Sequence, residues 1–268
     1  MKYALIISIL LIILIGVSIL LSLLIKKKTK LKKKRYVILF STIFSLFLIT
    51  VSFFTYTSIY YHAKKDVKNF LISDENVTVN KISNGYFFDG KGSNKAIIFY
   101  PGAKVEYTSY APMLNELANN GIDCFLLKMP FNLAFFGSNE ANKIIKNYNY
   151  DSYIIMGHSL GGSMASVYAN KNKDKISGVI LLASYSTKSL DDMKVLSIYG
   201  SNDGCLNKKA YEKNKKNLPS DYKEVVIEGG NHAGFGLYGS QRGDKKATIG
   251  NIEQQNIAIN AIIDFLQS

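Results

Sequence analysis

Residues 153–162 read Tyr-Ile-Ile-Met-Gly-His-Ser-Leu-Gly-Gly, an apolar β-rich run feeding into Gly157-x-Ser159-x-Gly161 and then a helix-forming segment. A serine between glycines on so sharp a strand-to-helix turn sits in a strained backbone conformation. Side chains at the flanking positions would collide with the crossing chain. The turn presents the Ser159 hydroxyl beyond the end of a sheet, so the local pattern predicts a nucleophile elbow. The pentad alone is common in chains of this length, and its meaning depends on the residues around it.

The 268 residues divide sharply in composition. Residues 3–25 form a run of 23 uncharged, mostly aliphatic residues, and residues 36–61 form a second run of 26 with several phenylalanines. As helices rising 1.5 Å per residue, either can cross a hydrocarbon core of about 30 Å. A cleaved signal peptide is disfavoured for the first run: it is long, ends in lysines rather than a small-residue cleavage site, and is followed by a second span. Eight of the ten residues in 26–35, between the runs, are basic. A short loop this basic stays in the cytoplasm, so both ends of the hairpin, and everything after it, are expected outside. The expected organisation is a membrane anchor over 1–63 with helices at about 3–25 and 36–61, a linker over 64–74, and a globular domain over 75–268. The whole is expected to be a two-span cell-membrane protein whose catalytic domain is extracytoplasmic.

The basic loop also accounts for most of the net charge of +13, since removing its eight charges leaves +5 over the rest of the chain. Those remaining lysines are interleaved with acids, which argues against a nucleic-acid partner. The expected partners are the bilayer and a small-molecule or lipid-like acyl substrate. The two cysteines, Cys124 and Cys205, have no metal-ligand spacing, and no metal or organic cofactor is expected. Cys124 lies in an apolar strand-like run and reads as a small core residue.

Beyond residue 64, short apolar β-rich runs alternate with helix-length segments, the rhythm of a mostly parallel sheet with flanking crossover helices. After a hairpin-like region at 77–88, strands are expected at 96–100, 123–128, 153–157, 176–183, 195–199 and 223–227. Helices are expected at 110–120, 139–146, 160–170, 208–217 and 252–266. Runs such as 179–183, Val-Ile-Leu-Leu-Ala, fit strands buried on both faces. About 200 residues leave no room for a large cap.

A serine hydroxyl needs a base within hydrogen-bond reach and an acid to orient that base. There are three histidines. His62 closes the second apolar run, and His158 precedes Ser159 with its side chain directed away. His232 remains, on a glycine-bounded loop after the last expected strand, as the candidate base. Asp203, in the turn of Tyr199-Gly-Ser-Asn-Asp-Gly204, is the candidate acid, ahead of Asp191 and Asp192, which precede that strand. The oxyanion hole requires two backbone N–H groups. Leu160, at the start of its helix, supplies one; Ala103 in Tyr100-Pro-Gly-Ala-Lys-Val105, with Lys104 as the alternative, supplies the other.

These landmarks resemble those of the small single-domain bacterial α/β-hydrolases related to the dienelactone hydrolases. The resemblance is carried by Tyr100–Glu106, Met129–Leu133, His158–Gly162, Tyr199–Gly204 and Gly230–Gly234, and covers residues 75–268. It implies an α/β-hydrolase fold and carboxylic-ester-type hydrolysis through an acyl-enzyme, with Ser159, Asp203 and His232 as triad. The nucleophile of dienelactone hydrolases proper is a cysteine, so their lactone substrate does not carry over. The same machinery serves amides, thioesters and lipid-linked acyl groups of the envelope, and the fold also hosts non-catalytic binding proteins. Phe131, Leu133, Phe135 and Phe136, in the loop after an expected strand, are candidates for the acyl pocket. The polar loop 239–248, with Arg242, carries no readable role.

Overall fold

The computed structural model describes residues 13–24, 34–92 and 94–268. The chain forms two compact units, 1–59 and Tyr60–Ser268. In the first, residues 13–24 (α1) and Lys34–Ser58 (α2) are helical. Within α2, Ile38–Ser58 is long and apolar enough to cross a membrane, and it is the only such helix among the described residues. Its hydroxyls turn back onto helix carbonyls, as Thr42 Oγ1 does to Ile38 (3.0 Å) and Ser58 Oγ to Thr55 (2.9 Å). That pairing is what lets such residues sit in an apolar helix. Ser18 Oγ of α1 donates to the Ser41 carbonyl of α2 at 2.7 Å. Of the expected first span at 3–25, residues 13–24 are described, as a shorter apolar helix, and the rest lies outside the described residues; of the basic loop at 26–35 only Lys34 and Arg35 are described, and they belong to α2. The second helix ends three residues earlier than expected, because Tyr61 joins the globular unit.

That unit is an eight-stranded sheet in the order β1-β2-β4-β3-β5-β6-β7-β8. The strands are β1 Thr78–Ile82, β2 Gly85–Asp89, β3 Lys95–Tyr100, β4 Asp123–Leu127, β5 Ser152–His158, β6 Ile176–Leu182, β7 Lys194–Gly200 and β8 Lys223–Ile227. β1, β2 and β4 pair antiparallel, and every other pairing is parallel. The flanking helices are α3 Ala111–Asn119, α4 Ala141–Asn147, α5 Leu160–Lys171 and α6 Lys208–Asn214, with α7 Asn251–Gln267 after the last strand.

The apolar runs are continuous because the sheet is covered on both sides. In β3, Ile97 and Phe99 join the core beneath α3 and α7, while Ala96, Ile98 and Tyr100 join the one beneath α4 and α5. Fully burying one such side chain stabilises the fold by about 1.5–3 kcal/mol, so these stripes set the register. The expected linker, 64–74, is integrated into the domain: a 3-10 turn at Lys65–Leu71 buries Val67 in the α3–α7 core. Just before it, Tyr61 bridges Val105 in parallel.

Candidate active site

β5 runs straight into α5 with Ser159 at the junction, at φ 54° and ψ −124°. A non-glycine residue here costs about 1–3 kcal/mol and persists only where the surroundings over-determine it. The surroundings do so. The Ser159 N–H donates to Leu182 O (2.9 Å), and its carbonyl accepts from Ser184 Oγ (2.7 Å) and Ser163 N (3.2 Å). A Cβ at Gly161 would lie 2.2 Å from the Tyr100 carbonyl oxygen and 2.4 Å from that of Pro101; one at Gly157 would lie 2.6 Å from the Gly161–Gly162 backbone. The glycines let the strand, the helix and the loop after β3 pass at backbone contact. Ser159 and Leu160 stay half-exposed.

Asp203 follows β7 and His232 follows β8, and both are buried, at 4% and 2% exposure. His232 Nδ1 donates to Asp203 Oδ2 at 2.9 Å; Asp203 Oδ1 accepts from the Cys205 and Leu206 amides at 2.8 and 2.7 Å. With its carboxylate fully engaged, Asp203 fixes the imidazole tautomer and leaves Nε2 as proton acceptor. Ser159 Oγ makes no hydrogen bond among the described residues, so the hydroxyl is free to rotate; serine–imidazole contacts commonly tighten only on substrate binding. Of the rival acids, Asp192 pairs with Lys173 and Asp191 accepts from Ser189 Oγ, both in exposed contacts.

His158 is buried and neutral, its ionisation held well below the usual histidine range by desolvation, with His232 adding to the effect. Its partners define the tautomer: Nε2–H donates to the His232 carbonyl (3.1 Å), and Nδ1 accepts from the Tyr110 hydroxyl (2.8 Å). The Tyr110 oxygen in turn accepts from Gly102 N–H at 3.1 Å. A single buried chain of hydrogen bonds thus joins the loop at Gly102, the residue before Ser159 and the backbone of the candidate base. Neither Tyr110 nor this use of His158 was legible in the sequence, because Tyr110 reads simply as the apolar start of a helix.

Leu160 is the first residue of α5, so its N–H has no intrahelical acceptor. The Ala103 N–H has no acceptor among the described residues, whereas the Lys104 N–H is occupied by the Asn132 carbonyl at 2.8 Å. The geometry therefore favours Ala103 over Lys104. The Lys104–Asn132 bond also ties the loop at 102–104 to the segment after β4. There Phe131 and Asn132 both have positive φ, and Phe131, Phe135 and Phe136 are exposed at 42%, 66% and 48%. Leu133 is half-buried.

Loop 239–248 acquires a role through Asp244. Its Oδ2 accepts from Ala233 N and its Oδ1 from Gly204 N, both at 2.9 Å, so one carboxylate clamps the loops bearing His232 and Asp203. From α7, buried Gln254 holds Asn231 from both sides, accepting from its N–H (2.9 Å) and donating to its carbonyl (2.7 Å). No local pattern marks either residue, since each acts on chain distant in sequence. A cleft of about 460 Å³ opens beside these residues, and its wall includes neither Ser159 nor His232. Cys124 and Cys205 are free thiols; burial raises both, Cys205 to about 11, and neither takes part in the constellation. The described residues contain no cluster of metal-ligating side chains.

The model of the alpha/beta hydrolase family matches residues 96–256, more than half of the chain, a stretch that includes Ser159, Asp203 and His232. This chain belongs to the alpha/beta hydrolase family. Among solved structures, it is similar to alpha/beta hydrolase domain-containing protein 10 from mouse, at 12% identity and a TM-score of 0.53, over 71% of this chain and 98% of that one. It is similar also to dienelactone hydrolase from Anabaena variabilis (13%, 0.51, 71% and 99%). Carboxyl esterase 2 from the fungus Tuber melanosporum is a third (10%, 0.54, 76% and 89%). At these identities the likeness is one of fold. No curated protein sequence matches the chain. The expected hydrolase fold is thus present, with its antiparallel edge at β1–β2 making the sheet mixed.

Proposed function

We propose that this alpha/beta hydrolase is a membrane-anchored serine hydrolase that cleaves carboxylic-ester-type bonds through an acyl-enzyme. The observation that carries the reading is the buried Asp203–His232 pair at the sheet end where Ser159 is held in a strained elbow. Ser159 Oγ attacks the carbonyl carbon and passes its proton to His232 Nε2. The developing oxyanion is met by the Leu160 and Ala103 N–H groups. His232 then protonates the leaving alkoxide, which departs as the alcohol. Water attacks the acyl-Ser159 carbonyl, giving its proton to His232; return of that proton to Ser159 Oγ releases the carboxylic acid. Each oxyanion donor contributes about 10²–10³ in turnover. Amide, thioester or lipid-linked acyl substrates would use the same steps with a different leaving group.

The apolar helix Ile38–Ser58 supports the anchor, and the basic stretch 26–35 supports a two-span topology with the catalytic unit outside the cytoplasm. A C-terminal reporter active only outside the membrane tests this: signal is expected, and activity confined to a cytoplasmic reporter would overturn it. For the chemistry, the full chain in detergent is treated with a fluorophosphonate probe. Labelling of the wild type that vanishes in Ser159→Ala is expected. An intact, folded protein that does not label would refute an activated serine and favour a binding role.

A further inference from the structure

Three features of the globular unit converge on one edge of the candidate site. The first is the segment after β4, whose Phe131, Phe135 and Phe136 form an exposed cluster, with ring centroids 5.7 Å apart for Phe131–Phe136 and 5.5 Å for Phe135–Phe136, each pair edge-to-face. Single exposed apolar residues are ordinary, but three aromatics in mutual contact form a patch, and patches mark binding surfaces. Two consecutive residues with left-handed backbone, Phe131 at φ 56° and Asn132 at φ 54°, hold the cluster on the surface. Such strain is retained where a surrounding structure or a function requires it.

The second feature is the stitching of the chain that follows α2. Tyr61 N–H donates to Lys104 O (2.7 Å), Glu106 N–H donates to Tyr61 O (2.8 Å), and Ala63 N–H donates to the Glu106 carboxylate (3.0 Å). Helix α2 ends at Ser58, three residues before Tyr61. At 3.3–3.6 Å per residue, three residues reach no more than about 11 Å. Only those three residues of chain separate the last residue of α2 from Tyr61, the residue that is bonded to the 102–106 loop. The aromatic segment hangs on the same loop through the Lys104 N–H to Asn132 bond.

The third is charge. Lys64 and Lys65, directly after Tyr61, are exposed, as is Arg242, whose N–H donates to the Tyr61 hydroxyl at 3.0 Å. The neighbouring acids are mostly engaged: Glu106 holds the Ala63 amide and Asp244 clamps the loops bearing Asp203 and His232, leaving Asp66. Aromatic side chains flanked by lysine and arginine are the composition of a surface that seats in the headgroup layer of an anionic bilayer.

From this convergence we propose that the Phe131–Phe135–Phe136 cluster dips into the anionic bilayer that α2 crosses, so that the candidate site takes acyl chains presented from the lipid surface. The inference rests on the anchored-hydrolase reading above and deepens it by naming the substrate's physical source. An aromatic cluster at the mouth, inserted about 5–10 Å below the headgroups, would give an acyl ester a path to Ser159 without crossing water.

The chain contains no tryptophan, so a single replacement supplies a clean reporter. Phe135→Trp is made in the full chain, with Lys175→Trp, exposed in the turn before β6 at the opposite end of the sheet, as the counterpart. Both are reconstituted in phosphatidylcholine–phosphatidylglycerol vesicles with and without bromine on the acyl chains. The expected result is a blue-shifted Phe135→Trp emission that falls severalfold in brominated lipid, while Lys175→Trp emission is unchanged. Unquenched emission from both, in protein that floats with the vesicles, overturns the docking surface while leaving the anchor intact. Equal quenching of both overturns it as well, since insertion would not be confined to the aromatic edge. Protein that fails to float refutes the anchor itself, and with it the proposal. The fluorophosphonate test reports separately on the serine.

Discussion

Replacing Asp203 by Asn isolates the orientation of His232 from its presence. Asp203 is almost completely buried and accepts three hydrogen bonds, two from backbone amides on Oδ1 and one from His232 on Oδ2. An asparagine carbonyl satisfies the two amides, so the loop is expected to keep its conformation. Its NH2 then faces His232 Nδ1, where two donors cannot meet, and the imidazole must give up the Nδ1 proton and carry it on Nε2 instead. In that tautomer Nε2 cannot accept from Ser159. The equivalent exchange in serine proteases lowers turnover by about 10⁴-fold, equivalent to about 5.5 kcal/mol of transition-state stabilisation. The assay is the second-order rate of fluorophosphonate labelling of the full chain in detergent, with Ser159→Ala as the zero and circular dichroism to establish folding. A folded Asp203→Asn protein labelling within about tenfold of wild type would refute the orientation argument and return the acid's role to another residue.

Tyr110→Phe removes the hydroxyl that links Gly102 N–H to His158 Nδ1 and leaves two buried polar groups unpaired, at about 1–3 kcal/mol each. If the chain positions the oxyanion loop, kcat for a soluble ester falls with KM nearly unchanged; an unaltered kcat in folded protein would show the bond to be structural only. Gly161→Ala places a methyl 2.2 Å from the Tyr100 carbonyl oxygen, so the loop bearing Ala103 must move. A loss of about 100-fold in labelling rate is expected, and a near-normal rate would show that the elbow yields elsewhere. His158 is held neutral in the folded chain, its pKa depressed below the unfolded value near 6.5. The unfolded state therefore binds the extra proton first, so this contribution is complete above about pH 6.5 and is lost at up to about 1.4 kcal/mol per pH unit as pH falls toward the folded pKa. Comparing apparent Tm between pH 7.5 and 5.5 should show a steeper loss in the wild type than in His158→Gln, and equal slopes would refute it.

Much of the globular unit was legible because its signals are local. Strand runs such as 96–100 and 153–157 are apolar throughout since both sheet faces are covered, and each expected strand matches an observed one to within a residue or two. The elbow could be read because strand, glycines and serine adjoin one another, and scarcity narrowed the base to His232. The segment after β4 was harder: two left-handed residues and two 3-10 turns between 130 and 137 have no periodic pattern, and four apolar residues there read equally as pocket or packing. The boundary after the second apolar run was misjudged because Tyr60 and Tyr61 extend the hydropathy of the helix although their backbone leaves it, drawn off by the pairing of Tyr61 with Val105.

The sequence by itself determined the α/β alternation, the apolar helix followed by a globular hydrolase-fold unit, and the order of the candidate residues Ser159, Asp203 and His232, because each is written in neighbouring residues or in the scarcity of a residue type. Only the tertiary structure decided how those residues are held. Asp244 clamps the Asp203 and His232 loops from 41 and 12 positions further along the chain, Gln254 pins Asn231 from α7, and His158 with Tyr110 ties the His232 backbone to the loop at Gly102. The physical reason is that a buried hydrogen bond requires a partner in space and not in sequence. Which polar residues become structural is settled only when the sheet brings the ends of its parallel strands together.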